Sequence, residues 1–167
     1  LWGYTARPES YFEAVAHWQR RRNGWEIDTK LMSYCLGVVQ SIAAAVRLYT
    51  PEGGSVLIQT PVYSEFYDMT EAAGRKVVEC PFREKEGKWT MDWAEFEEKL
   101  QRCHMFLLCN PHNPLGIVWT REELRHMAGL CMKYHVVLFS DEIHSDLIFH
   151  GKKHTPVATL SPEIAKY

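Results

Sequence analysis

The chain has 167 residues, 46% of them hydrophobic and 24% charged, with a formal net charge of −2, which suits one domain with a sizeable core. The near-neutral charge gives no basic surface that would favour nucleic acid, and no apolar run reaches the length of about 18 residues that a membrane span needs. The five cysteines are scattered and odd in number, which disfavours a disulfide framework and, with no signal-peptide pattern, predicts reduced thiols in a cytoplasmic protein.

The first third of the chain is predicted to contain two helices and a short strand. Apolar residues at helical spacing predict a helix over residues 8–22, which Gly24 ends. Residues 31–36 are typical of a short strand, Gly37 follows, and the alanine-rich stretch 39–49 predicts a second helix. A glycine between a strand and a helix lets the backbone approach an anion at the helix start, although an ordinary structural turn explains the same pattern.

Beyond this point, short apolar strands alternate with helices. The predicted strands are 56–58, 76–79, 105–108 and 136–139, the predicted helices are 63–73, 92–102 and 120–134, and residues 84–89 form a charged loop or hairpin. Solid apolar strands alternating with helices predict an α/β fold, in which a mainly parallel central sheet lies between two helical layers in a three-layer α/β/α arrangement. Ligands of such sheets bind beyond the carboxyl ends of the strands, so we expect the chemistry there.

Three of these strand ends carry candidate binding residues. Tyr63 begins a helix, where its ring is suited to stacking on a flat ligand or simply to packing. In the stretch 110–116, Asn110 follows an apolar strand and Asn113 lies between two prolines, with a glycine after them. Such a rigid loop suits hydrogen bonding to a small polar ligand, although an ordinary tight turn explains the same pattern. Asp141 ends a buried strand, where a carboxylate is costly unless it is paired, so it is a functional candidate or a structural ion pair or cap. Nearby histidines match no common metal-ligand spacing, and no metal is predicted.

Five segments in this order resemble the fold-type I enzymes that depend on pyridoxal 5'-phosphate (PLP), the aspartate aminotransferase superfamily of class I/II. The closest resemblance is to the bacterial cystathionine β-lyase / cysteine-S-conjugate β-lyase branch, and it covers essentially the whole chain. The segments are residues 2–5 (WGYT), 37–39 (GVV), 60–63 (TPVY), 110–119 (NPHNPLGIVW) and 140–147 (SDEIHSDL).

The resemblance implies PLP as the cofactor and assigns four residues to its ring. Asp141 would pair with the protonated ring nitrogen and keep the ring an electron sink. Asn113 would hydrogen-bond the ring 3-oxygen, and Tyr63 would stack on the ring. His144 stands where related aminotransferases have a tyrosine that faces the 3-oxygen.

The phosphate of the cofactor would be bound at the turn after Gly37. The resemblance implies that the backbone amides of Val38 and Val39 bind the phosphate, and that Tyr4 reaches the phosphate of the neighbouring subunit. It therefore also implies a homodimer.

The implied activity is β-elimination of cystathionine or a cysteine S-conjugate, small amino-acid substrates, to pyruvate, ammonia and a thiol. Transamination by a class I/II aminotransferase shares the early steps and is the alternative, and a PLP-sensing regulator fused to a DNA-binding module is a third possibility, for which no basic patch is present. Residues 1–167 are expected to be part of the large PLP-binding domain. We expect the segment with the Schiff-base lysine and the small C-terminal domain to be absent, and this stretch alone to be inactive.

Overall fold

A computed structural model describes residues 8–149 and 151–166 of the chain. The chain divides into two compact units, residues 1–36 and residues 37–167. None of the helices in the described stretches has the length and apolarity that crossing a bilayer requires. All predicted site residues except Tyr4 lie in the second unit, whereas Tyr4 lies outside the described residues.

The first unit contains helix α1 (Glu9–Asn23), which ends at Gly24 in the left-handed backbone conformation that favours glycine. A single 3-10 turn follows at Thr29–Leu31. The strand predicted at 31–36 is wrong, because residues 32–36 form neither helix nor strand and pair with no described strand. An apolar run forms a strand only where a neighbouring strand accepts its backbone hydrogen bonds.

The second unit alternates strands with helices, as predicted. Its helices are α2 (Val38–Tyr49), α3 (Glu65–Ala72), α4 (Trp93–Leu100) and α5 (Arg121–Tyr134). Its strands are β1 (Ser55–Thr60), β2 (Lys76–Pro81), β3 (Arg83–Lys85), β4 (Lys88–Thr90), β5 (Met105–Cys109) and β6 (Val137–Asp141). The charged stretch predicted as a loop or hairpin is the β3–β4 hairpin. Asp92 and Thr120, the first residues of the helices predicted at 92–102 and 120–134, accept backbone hydrogen bonds as caps at the starts of α4 and α5.

The four longer strands form one parallel sheet in the order β2-β1-β5-β6. The chain leaves β1 toward one edge of the sheet and returns on its other side at β5, so the strand order reverses between β1 and β5. A crevice opens at such a reversal beyond the carboxyl ends of the strands, and ligands of open α/β sheets bind there.

Helices cover both faces of this sheet, with α4 and α5 on one face and α2 and α3 on the other. Because successive residues of a strand point to opposite sides, one strand contributes side chains to both cores. In β5, the side chains of Phe106 and Leu108 pack into the core beneath α4 and α5. The side chains of Met105, Leu107 and Cys109 pack into a second core beneath α2 and α3. All five are buried, which explains why β5 is apolar without alternation. The prediction of an α/β fold with a mainly parallel central sheet is confirmed.

Candidate active site

One cavity of about 260 Å³ brings together residues from four separate parts of the sequence. It lies at the carboxyl ends of β5 and β6, beside the starts of α2 and α3. Its lining residues are Val38, Tyr63, Cys109, Asn113, Asp141, Ile143 and His144. Five of the predicted cofactor residues are therefore neighbours in space, although more than 100 positions separate the first from the last. Val39 follows Val38 in α2 and is half-buried, but it is not among the residues that line this cavity.

The start of α2 forms one wall of the cavity. Gly37 precedes the helix in an extended conformation, and no side chain caps the helix start. The first N–H groups of a helix have no intrahelical acceptor, and the helix dipole adds partial positive charge there. The backbone N–H groups of Val38 and Val39 belong to this first turn, so the wall is suited to a phosphate or another anion.

Asp141, at the last position of β6, forms another part of the lining. Its residue surface is 4% exposed, and one carboxylate oxygen accepts a hydrogen bond from the Ile143 N–H at 3.1 Å. Burial raises the pKa of this carboxyl group, while the Ile143 hydrogen bond and the nearby His144 act in the opposite direction. Within the described residues no lysine or arginine forms an ion pair with Asp141. A buried carboxylate in this position is suited to a cationic nitrogen that a ligand supplies.

Asn113 is held in place through Cys109, a residue that sequence reasoning treated only as a core thiol. The Cys109 thiol donates to the carbonyl of Pro111 at 3.3 Å and accepts from the backbone N–H of Asn113 at 3.2 Å. Burial raises the pKa of this thiol to about 12, so it stays protonated and can both donate and accept. The Asn113 side-chain amide hydrogen-bonds to no other described residue, which leaves it available to a ligand. Cys109 lies directly opposite Asp141 in the β5–β6 register, a pairing that the structure shows and that the local sequence does not signal.

A second, more open cavity of about 650 Å³ adjoins the first, and Asn113 and His144 line both. Its other walls are mainly apolar, with Ile117, Val118 and Leu147 among them. No group of three His, Cys, Asp or Glu side chains within residues 8–149 and 151–166 is arranged to hold a metal ion.

The cavity at the switch point of this parallel sheet combines a helix start with a buried carboxylate, so it is suited to a small ligand that carries an anionic group and a cationic nitrogen. The sequence model described as aminotransferase class I and II matches residues 4–166, and the chain belongs to this family. The resemblance noted from the sequence motifs is thereby confirmed.

The relatives that the chain resembles include both lyases and transaminases. It is 41% identical to cystathionine beta-lyase PatB of Bacillus subtilis over 99% of this chain and 43% of that protein. It is 33% identical to human kynurenine–oxoglutarate transaminase 3 over 90% of this chain and 35% of that protein. The structure of cystalysin from Treponema denticola, which contains a PLP cofactor, superposes with a TM-score of 0.95 at 36% identity, over 99% of this chain and 42% of that one. The chain thus spans less than half the length of these relatives.

Proposed function

We propose that the whole protein is a PLP-dependent carbon–sulfur β-lyase, which cleaves cystathionine or another cysteine S-conjugate to a thiol, pyruvate and ammonia. The observation that carries this proposal is the cavity in which a buried carboxylate, with no lysine or arginine partner among the described residues, faces the same space as an uncapped helix start. A protonated pyridine nitrogen and a phosphate group, both present in PLP, match these two features. The 41% identity to a cystathionine β-lyase supports β-elimination as the reaction.

Five residues of the chain are proposed to hold the cofactor. The N–H groups of Val38 and Val39 bind the phosphate. Tyr63, whose side chain lines the cavity and is 38% exposed, stacks on the ring. Asn113 donates its side-chain amide to the ring 3-oxygen, and Asp141 pairs with the ring nitrogen.

The residues proposed to surround the ring would set the protonation of its nitrogen and the contacts of its 3-oxygen. PLP supplies an electron sink for the electron pair that deprotonation leaves on the α-carbon of the substrate. The negative charge of Asp141 would hold a proton on the ring nitrogen, and the burial of Asp141 would strengthen this attraction. His144 is proposed to face the 3-oxygen together with Asn113, because both line the same two cavities. Loss of a thiolate from the β-carbon and hydrolysis then give the products.

Other parts of the proposal lie outside the described residues. The Schiff-base lysine and an arginine for the substrate carboxylate are proposed to come from sequence beyond residues 1–167, which form part of the large PLP-binding domain. A homodimer, in which Tyr4 reaches the phosphate of the neighbouring subunit, and a cytoplasmic location belong to the same proposal.

Transamination by a class I/II aminotransferase is the second candidate. Its specific support is the 33% identity to human kynurenine–oxoglutarate transaminase 3. The two reactions share substrate binding and deprotonation at the α-carbon, so the same cavity serves both. They differ in whether the β-substituent leaves or the amino group is passed to a keto acid.

We expect the full-length protein to release pyruvate and a thiol from cystathionine when no keto acid is added. Lactate dehydrogenase with NADH measures the pyruvate, and a thiol reagent measures the second product in equal amount. The matched control is alanine, which has the same amino-acid head but no leaving group on its β-carbon. Strict dependence of turnover on added keto acid, with no pyruvate formed from cystathionine, would establish the aminotransferase instead.

A further inference from the structure

The residues that follow Cys109 and Asp141 point away from the cavity. Cys109 and Asp141 are paired in the β5–β6 register and both line the cavity. The next residues, Asn110 and Glu142, hydrogen-bond to Thr155 and Val157, and Val157 packs in the core on the opposite face of the sheet from Cys109. The backbone N–H of Asn110 also donates to the carbonyl of Asp141 at 2.9 Å, so the two strand ends are bonded to each other.

On that opposite side, several groups donate hydrogen bonds to the carboxylate of Glu142. One of its carboxylate oxygens accepts from the Ser140 hydroxyl and from the backbone N–H of Val157, both at 2.9 Å. The other oxygen lies 2.9 Å from Nε2 of His154, which must carry the proton of this bond because a carboxylate oxygen only accepts. The side chain of His154 is 1% exposed and that of Glu142 is 17% exposed. The pair is therefore shielded from water.

Asn110 adds a separate connection to the same segment. Its side-chain amide donates to the carbonyl of Thr155 at 3.1 Å and lies 3.5 Å from Glu142 Oε1. The ends of β5 and β6 are thus hydrogen-bonded to three groups of residues 154–157: the ring of His154, the carbonyl of Thr155 and the backbone N–H of Val157. The side chain of Val157 packs into the core beneath α4 and α5, which anchors this segment to the sheet.

We propose that Glu142 and His154 are positioning residues, which fix the strand end that carries Asp141 and so set the direction of its carboxylate toward the cofactor. This inference rests on the proposed function. The carboxylate of Asp141 is one peptide unit from the backbone of Glu142, so any shift of Glu142 is passed directly to Asp141. Misplacement of a positioned group by about 1 Å is enough to cost on the order of 10²-fold in rate.

If Glu142 only stabilised the fold, its replacement would affect cofactor binding no more than the loss of another hydrogen bond nearby. The chain offers a matched control for this comparison. Arg121 donates to the carbonyl of Thr159 at 2.8 Å, so it holds the residues just after this segment to α5, and this hydrogen bond involves neither strand end. Glu142→Gln keeps the size of the side chain and removes its charge, whereas Arg121→Met removes the bond at Thr159. Both variants are expected to lower the melting temperature of the full-length protein.

The two variants are expected to differ in how they bind the cofactor. In Glu142→Gln, we expect the Kd for PLP to rise about tenfold, the circular dichroism of the bound cofactor to weaken, and kcat to fall more than KM changes. In Arg121→Met, Kd and the spectrum should stay within about twofold of wild type, since the strand ends are untouched. His154→Gln, whose amide can still donate to Glu142, should retain more affinity than His154→Leu.

The outcomes separate this inference from the proposed function. Wild-type affinity and spectrum in Glu142→Gln, or equal changes in Glu142→Gln and Arg121→Met, would overturn the positioning role while the lyase proposal stands. A full-length protein that does not bind PLP would overturn the proposed function and this inference with it. If Glu142→Gln does not fold, Ser140→Ala removes a single hydrogen bond to Glu142, and an unchanged cofactor spectrum in that variant and in His154→Leu would overturn the inference.

Discussion

Replacing Asp141 with alanine in the full-length protein is expected to lower kcat/KM for β-elimination by about 10³-fold, which corresponds to about 4 kcal/mol of transition-state stabilisation. The carboxylate is buried at the end of β6 and faces the cavity that we propose for the cofactor. In the proposed function its charge would hold the proton on the ring nitrogen, and the ring would need that proton to take up the electron pair from the substrate. The rate of pyruvate release from cystathionine measures the effect.

The matched control is Asp68→Ala, which removes an exposed carboxylate from α3. This variant should keep wild-type activity, since Asp68 does not line the cavity. Far-UV circular dichroism of the Asp141→Ala protein should match that of the wild type. Activity of Asp141→Ala within about tenfold of wild type, a loss of only about 1.4 kcal/mol, would show that Asp141 does not serve the ring nitrogen.

The cofactor-free protein is expected to become more stable when Asp141 is replaced by asparagine. Without a cofactor, the buried carboxylate has no cationic partner among the described residues, and its pKa is raised by that burial. An acid with a raised pKa in the folded state binds protons more readily than it does in the unfolded state. The free energy of unfolding therefore falls as the pH rises from the unfolded value, near 3.8, through the folded pKa.

Asparagine keeps the shape of the side chain without the charge, so it removes this penalty. At pH 8 the cofactor-free Asp141→Asn protein should melt at a higher temperature than the wild type, and the difference should shrink as the pH is lowered toward 4. Thermal unfolding at a series of pH values tests this, with Asp68→Asn as the exposed control. A variant that is less stable than the wild type at pH 8, or a difference that grows on acidification, would contradict the prediction.

Much of the fold could be predicted because the central strands β1 and β5 are buried on both faces. The stretch 105–108 is apolar without alternation since both cores enclose it, and the capping residues Asp92 and Thr120 mark helix starts by local hydrogen bonds. The prediction of a strand at 31–36 was wrong because no neighbouring strand among the described residues pairs with this stretch. Its apolar composition is local, whereas a strand requires a partner.

The candidate site could be predicted in part for a similar reason. Asn113 and Asp141 stand in distinctive local motifs directly after apolar strands, and the structure places both on one cavity. The contribution of Glu142 and His154 could not be found in the same way. Their contact joins positions that are 12 residues apart and have no regular spacing, so a histidine at 154 has the same local signal as a packing or surface residue. Cys109 was missed because its two hydrogen bonds depend on how the loop folds back.

A crystal structure of the full-length protein with PLP is the measurement that tests the central claim most directly. We predict that the ring lies in the cavity between the start of α2 and the ends of β5 and β6, with Asp141 about 2.7–3.1 Å from the ring nitrogen. The phosphate should accept hydrogen bonds from the first N–H groups of α2. A cofactor bound elsewhere, or a ring nitrogen that faces a group other than the carboxylate of Asp141, would contradict the claim.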